Sequence, residues 1–421
     1  MSSNAGQSAE TAKKRGGLLG VLRIVFAVAL LALVAYYVPW RDRLTCTTAT
    51  GSSALAGEIR GDWKDREIEF VIDPAEHVGS EWPQRIEDAR AARQPARITR
   101  TDSADLPRLD WRPGMLRVFR EVRPAGLFLA LGLMTLGALV AIARWKGLLA
   151  IAGCATTFAT AFRLSFLGLF FNLIVPGLTG GDVIKAILVV REHPERRADA
   201  LMSVIVDRGL GLLVLIGLAV CVTWWPGSRF DEVRLAVLLT FVGILFALWV
   251  FLAPLPRRVL KIERLLLKLP QKDRIAALDR ALRLYGSHPV KLGIAIALSI
   301  LNHGALALGL FALGWAFGET QLSYPEYLGV ASIANTVSSI PIAPGGWGVG
   351  EAAYASMFHM LSAPATLGIA VSVTFRLLTM GMGLVGGLFL LMPSGKSMRA
   401  EIHEAEVAAG VASDAPDGST Q

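Results

Sequence analysis

Charge is scarce in this sequence. Asp, Glu, Lys and Arg make up 18% of the 421 residues, where an ordinary soluble domain carries roughly a quarter. With 53% hydrophobic residues and a mean hydropathy of +0.50, the chain reads as an integral membrane protein with several spans. Cysteine is scarcer still. Cys46, Cys154 and Cys221 form no Cys-x-x-Cys and no His/Cys grouping, so neither a disulfide framework nor a metal centre is expected. Gly-x-Ser-x-Gly and His-Glu-x-x-His are missing too. The glycines of "GLTGGD" at 177–182 make no phosphate loop, because no Gly-Lys-Ser/Thr follows them. No catalytic residue, cofactor or metal is therefore expected, and the chain is not expected to be an enzyme. The net charge of +8 and pI of about 9.6 fit Lys/Arg retention on a cytoplasmic face. No helix-turn-helix, RNA-recognition or zinc-finger pattern points to nucleic acid.

Long apolar runs supply what is present. After the basic start "AKKRGG" comes a run of about 20 apolar residues, longer than the ~7–15 of a cleavable signal. Residues 1–17 then form a cytoplasmic tail and 18–40 a first, uncleaved span, closed by Pro39 and Trp40. Residues 41–123 form a polar insert. Alternation around Glu67–Ile72 predicts a strand, and "EWPQRIEDARAARQ" a short helix. This small α/β insert either gates a ligand or is a solvated spacer. Further apolar segments lie near 124–143, 148–181, 201–225, 235–254, 291–317, 327–361 and 365–392. Together, 124–393 forms one transmembrane domain, and 394–421 a disordered cytoplasmic tail.

Loop charge orients these segments. Lys13, Lys14 and Arg15 hold the N-terminus in the cytoplasm, which places the insert outside the cytoplasm. Arg144 and Lys146 read as the inner end of the second span. The loop of Lys185, Arg191, Arg196 and Arg197 is also inside, so 148–181 enters and leaves on one side. The densely basic 257–291 is cytoplasmic, and its "RVLKIERLLLKL" reads as either a lipid-surface helix or a solvated orientation signal. Lys396 and Arg399 bring the C-terminus inside, so 327–361 is a second segment that does not cross.

Each non-crossing segment is broken by Pro and Gly. The first carries Asn172, Pro176, Gly177, Gly180, Gly181 and Asp182; the second carries Asn335, Pro344, Gly345, Gly346, Gly348 and Glu351. Each carboxylate is followed at nearly the same interval by an arginine in the next span, Arg208 and Arg376. Span, hairpin, span, repeated in opposite orientation, is the pattern of an inverted-topology repeat. Non-helical backbone at membrane depth is tolerated only inside protein or beside a water-filled cavity. Charges there are costly enough to mark function by default. Two roles stay open for the acid–arginine pairs. They lock the hairpins, or they build an anionic headgroup site from Arg forks, hairpin N–H groups and close-approaching glycines. Lys185 and Asp207 belong to the same candidate set. His303 and His359 read as helix-packing residues, and "GMGLVGG" at 381–387 as a small-residue packing face.

"FFNLIVPGLTGGDVIKA", "RRADALMSVIVDRGLGLLVL" and "IPIAPGGWGVGEAAYA" with its later "FR" resemble the lysylphosphatidylglycerol synthase transmembrane-region family of flippase-like proteins. The resemblance covers about 120–392. It implies a polytopic inner-membrane domain that translocates lipid. The aminoacyltransferase domain of the synthases has no counterpart in the short tail after Pro393, so lipid synthesis is not expected.

The expected fold is an all-α polytopic membrane protein with about six full spans, two re-entrant helical hairpins as an inverted repeat, and a small extracytoplasmic α/β insert. The expected function is movement of a lipid with an anionic or phosphate-containing headgroup between leaflets of a bacterial-type inner membrane. Candidate substrates are a phospholipid, an aminoacylated lipid or a polyprenyl-phosphate-linked sugar. A membrane-embedded enzyme acting on a lipid phosphate and a non-transporting scaffold are the alternatives.

Overall fold

The computed structural model of the chain describes residues 38–49, 51–100, 108–174, 180–252, 272–340 and 347–391, with Ala29, Ala32 and Tyr36 ahead of them. Most of the expected first span, the basic stretch 253–271 and both tails lie outside the described residues.

The insert is built on alternation. Strands β1 (Asp42–Thr48), β2 (Gly51–Arg60), β3 (Glu67–Ile72), β4 (Ala96–Thr99) and β5 (Arg108–Arg112) form one antiparallel sheet in the order β4-β3-β2-β1-β5. The strand expected at Glu67–Ile72 is there, and the expected helix is α1 (Gln84–Ala91). One sheet face buries Leu44, Cys46, Ile68, Phe70 and Trp111 against Ile86 of α1. The Trp111 indole spends its N–H on the Trp63 carbonyl at 2.7 Å, satisfying the one polar atom of a buried ring. Asp42 ties the sheet to α2 (Met115–Arg120). Its buried carboxylate accepts from the backbone N–H of Ile59 and Gly114 and from Arg117 Nε, at 2.7–2.8 Å.

The helices follow as α3 (Pro124–Ile151), α4 (Phe158–Ile174), α5 (Gly180–Glu192), α6 (Arg197–Thr223), α7 (Asp231–Leu252), α8 (Lys272–Gly286), α9 (Pro289–Ala316), α10 (Tyr324–Ser338), α11 (Val349–Met360) and α12 (Ala365–Leu388). Proline opens α3 and α9, where its missing N–H costs no helix bond. Ser323 and Glu326 close a capping box on α10. Five of these helices are long and apolar enough to cross a membrane: α3, α6 with the turn before it, α7, α9 and α12. The protein is a multi-pass, largely α-helical membrane protein.

The second span does not end at Arg144 and Lys146. Helix α3 runs through both to Ile151, with Arg144 only 6% exposed. A buried arginine with an interhelical partner has the same sequence signature as a cytoplasmic boundary charge. The first broken segment accordingly starts at Phe158 rather than 148 and runs on to Glu192.

Helix ends sort onto two ends of the bundle. Arg163 near the start of α4 pairs with Glu192 at the end of α5 at 2.7 Å, and Tyr285 of α8 donates to the Leu148 carbonyl of α3 at 3.3 Å. At the other end Arg229 joins Glu326 of α10 and the Leu361 carbonyl after α11. The insert docks at this second end. Arg123 N–H donates to the Ala316 carbonyl at 2.9 Å, Thr366 Oγ1 to the Pro113 carbonyl at 3.1 Å, and Phe119 meets Phe317 edge-on. One apolar core runs from the sheet into the bundle, so the insert is anchored and not a tethered spacer.

Candidate functional site

A cavity of about 330 Å³ lies between α3, α4, α5, α6, α9 and α12. Its walls are mostly apolar, and its polar groups are few: Ser165, Asn172, Asp182, Lys185, Asp207, Asn302 and Thr379. Ser165 Oγ is buried with no hydrogen-bond partner among the described residues.

Close helix approach builds this wall. A Cβ at Gly181 would lie 1.9 Å from the Gly168 carbonyl oxygen, so only glycine lets α5 pack against α4 here. Asn172 Oδ1 accepts from Gly181 N–H at 2.7 Å, serving one of the first N–H groups that α5 cannot bond internally. Asp182 stands in the first turn of α5, favoured there by the helix dipole, and pairs with Arg208 of α6. Asp207, the preceding residue, accepts from Arg144 Nε at 2.8 Å, while Arg144 NH1 donates to Ser299 of α9 at 2.9 Å. Lys185 lies one turn after Asp182. Its Nζ sits 3.6 Å from the centroid of the Trp145 ring, and it makes no ion pair among the described residues.

A second cluster is organised around Glu351, 1% exposed, in the first turn of α11. Its Oε1 accepts from Arg376 Nε at 2.6 Å and Ser372 Oγ at 3.2 Å, and its Oε2 accepts from Gly348 N–H at 2.5 Å. Gly348 has φ +79, a backbone conformation that favours glycine. The Arg376 guanidinium also lies over Trp347, 5.2 Å from the ring centroid. Asn335 accepts from Tyr354 at 3.2 Å.

Both acid–arginine pairs expected from the sequence are thus formed. Asn172, Gly181, Asp182, Lys185, Asp207 and Arg208 come together at the first cluster, with Gly180 opening α5. Asn335, Gly348, Glu351 and Arg376 form the second. Pro176, Gly177, Pro344, Gly345 and Gly346 lie outside the described residues. Arg144, Trp145, Ser165 and Ser299 were not singled out as site residues from the sequence. A basic–aromatic pair inside an otherwise apolar run was the available signal for the first two. His303 is a packing residue, as expected, with Nε2 donating to the Gly211 carbonyl at 3.0 Å.

Residues 106–387 match the family model described as the lysylphosphatidylglycerol synthase TM region. The chain belongs to this family. The match takes in β5, α2 and nearly all of α3 to α12, so both clusters fall within the family's domain, whereas β1 to β4 precede it. A UPF0104 membrane protein of Methanocaldococcus jannaschii is 23% identical over 284 residues, covering 63% of this chain and 83% of that protein.

Proposed function

We propose that this protein moves a lipid with an anionic or phosphate-containing headgroup between membrane leaflets. The observation that carries the proposal is the cavity between α3 and α9 with Lys185 on its wall, stacked on Trp145 and in no salt bridge among the described residues, although Asp182 and Asp207, each bridged to an arginine, line the same cavity. Mostly apolar walls with a few convergent polar groups suit a headgroup–tail boundary. An incoming phosphate would gain Lys185 and the Asn302 amide as donors. Trp145 stabilises the amine face-on until then.

An inverted repeat would supply the movement. Helices α3 to α6 form one unit and α9 to α12 the other. The support is reciprocal packing: α4 lies along α12, α10 lies along α6, and the leading helices α3 and α9 lie along each other. In each unit the helix pair starts and returns at one end, α4–α5 opposite to the insert and α10–α11 beside it. The residues just before the two arginines, Asp207 and Phe375, line the same cavity. They occupy matching positions of the two units but differ in polarity. Rocking of one unit against the other would alternate access to the cavity. On this reading 158–192 and 324–360 are re-entrant hairpins, the insert is extracytoplasmic, both termini are cytoplasmic in a bacterial-type inner membrane, and no bond is made or broken.

The test is leaflet accessibility of fluorescent phosphatidylglycerol in proteoliposomes. Protein-containing vesicles should expose inner-leaflet lipid faster than empty ones, and Lys185→Met should remove the difference. No acceleration by the wild type contradicts transport, and a chemically altered lipid would point to an enzyme. For topology, cysteines at exposed Ser80 and Arg280, in a chain with Cys221→Ser, should label from opposite sides of the membrane.

A further inference from the structure

The insert carries a basic groove that the transport reading does not use. Strands β1 and β5 pair so that Arg43 faces Arg112, Thr45 faces Asp110 and Thr47 faces Arg108. Their other face is the buried one, with Leu44, Cys46, Leu109 and Trp111. The polar face lines a groove of about 720 Å³, bounded on the bundle side by His359 at the end of α11, Ser362 in the α11–α12 connection and Thr366 at the start of α12. Arg43, Arg108 and Arg112 are exposed and make no ion pair among the described residues. The groove's one carboxylate among the described residues, Asp110, is held from the side by Arg100 at 3.1 Å.

Two features set this apart from an ordinary solvated face. Like charges directly opposite in a sheet destabilise it, yet Arg43 and Arg112 are paired across β1 and β5. Pro39 and Ala365 also line the groove, and Ala365 opens α12, a helix long and apolar enough to cross a membrane. With α12 across the membrane, the groove sits at the end of a span, where headgroups lie. The first turn of α12 adds the positive end of a helix dipole.

We propose that this groove binds the phosphate-bearing headgroup of a membrane lipid. Arginine forks match phosphate oxygens two at a time, and Thr45, Thr47 and Ser52 supply further donors. The site does not depend on the bundle transporting anything.

Binding of water-soluble dihexanoyl phosphatidic acid to the full chain in maltoside detergent tests it, with inorganic phosphate as the second probe. Measurements run in wild type and in Lys185→Met, so that the bundle cavity is separated from the groove. Arg43→Gln/Arg108→Gln/Arg112→Gln should weaken lipid binding by at least about tenfold in both backgrounds. The charge-matched Arg85→Gln/Arg93→Gln/Arg97→Gln, elsewhere on the insert, should leave it within about twofold. Arg112→Gln alone should melt no lower than wild type, because it removes a like charge opposite Arg43. If the triple variant does not fold, Arg43→Gln and Arg112→Gln carry the comparison separately. Unchanged binding in the groove variants, or an equal loss in the charge-matched set, overturns the proposal. Displacement of the lipid by inorganic phosphate at comparable concentration assigns the groove to free phosphate and overturns the lipid assignment.

Discussion

Lys185 stands over Trp145 with its Nζ 3.6 Å from the ring centroid, while the arginines of the two clusters each hold a carboxylate. Arg144 has Asp207, Arg208 has Asp182, and Arg376 has Glu351. An aromatic face holds a cation more weakly than an ion pair and leaves its ammonium protons free for an entering anion. Lys185 can therefore change partner without breaking a salt bridge. Lys185→Met should lower affinity for an anionic lipid about 10- to 150-fold, the equivalent of about 1.5–3 kcal/mol for one charge-assisted contact. Its melting temperature should not fall. Equilibrium binding and thermal unfolding on the same preparation check both halves.

The two acid–arginine pairs should differ in what they hold up. Glu351 is 1% exposed and also caps α11, so Glu351→Ala leaves Arg376 without its carboxylate and should cost about 3–5 kcal/mol. The Asp182 and Arg208 side chains are 38% and 37% exposed, and Asp182→Ala should cost about 1 kcal/mol or less. Denaturant unfolding in mixed micelles ranks the two. Equal costs would contradict the burial argument.

Glycine should be replaceable at one position and not at another. Gly181→Ala drives a methyl group into the Gly168 carbonyl and should destabilise by about 1–3 kcal/mol, moving α5 and the cavity with it. Gly209 has open space at its Cβ position in α6, so Gly209→Ala should be neutral or stabilising by up to about 1 kcal/mol. Melting temperatures and lipid binding of the two variants make the comparison.

The loop between α9 and α10 should respond to pH. Burial pushes the Glu319 carboxyl up from its ordinary range, against hydrogen bonds from the Leu322 and Gln321 N–H groups and the Tyr327 hydroxyl. A carboxyl raised in the folded state contributes stability below its unfolded value, and that stability is lost as pH rises through the folded value. Melting temperature should thus fall as pH climbs from the ordinary carboxylate range. Glu319→Gln should flatten that part of the profile. A rise in stability over the same window would reverse the sign and contradict the burial.

The legible and illegible parts of this chain divide by physical cause. Period-two alternation marked Glu67–Ile72 as a strand, and long apolar runs marked three of the five candidate spans among the described residues to within a few residues. The acids and arginines of both clusters stood out because a charge in an apolar run is costly. Arg144 did not, because one dimension cannot tell a charge buried against Asp207 from one at the membrane boundary. Trp145 offered only its place beside Arg144 in an apolar run, and Ser165 offered no signal, for a related reason. Their meaning comes from neighbours far along the chain, Lys185 in one case and the cavity wall in the other. The basic face of the insert depended on strand register, which sets Arg43 opposite Arg112 and has no signal in either strand alone.

The most direct measurement is the leaflet-accessibility rate of fluorescent phosphatidylglycerol in proteoliposomes holding wild type, Lys185→Met or Gly209→Ala. Wild type and Gly209→Ala should accelerate exposure of inner-leaflet lipid equally, and Lys185→Met should match empty vesicles. A Lys185→Met rate equal to wild type, or a wild-type rate equal to empty vesicles, would contradict a lipid path through this cavity.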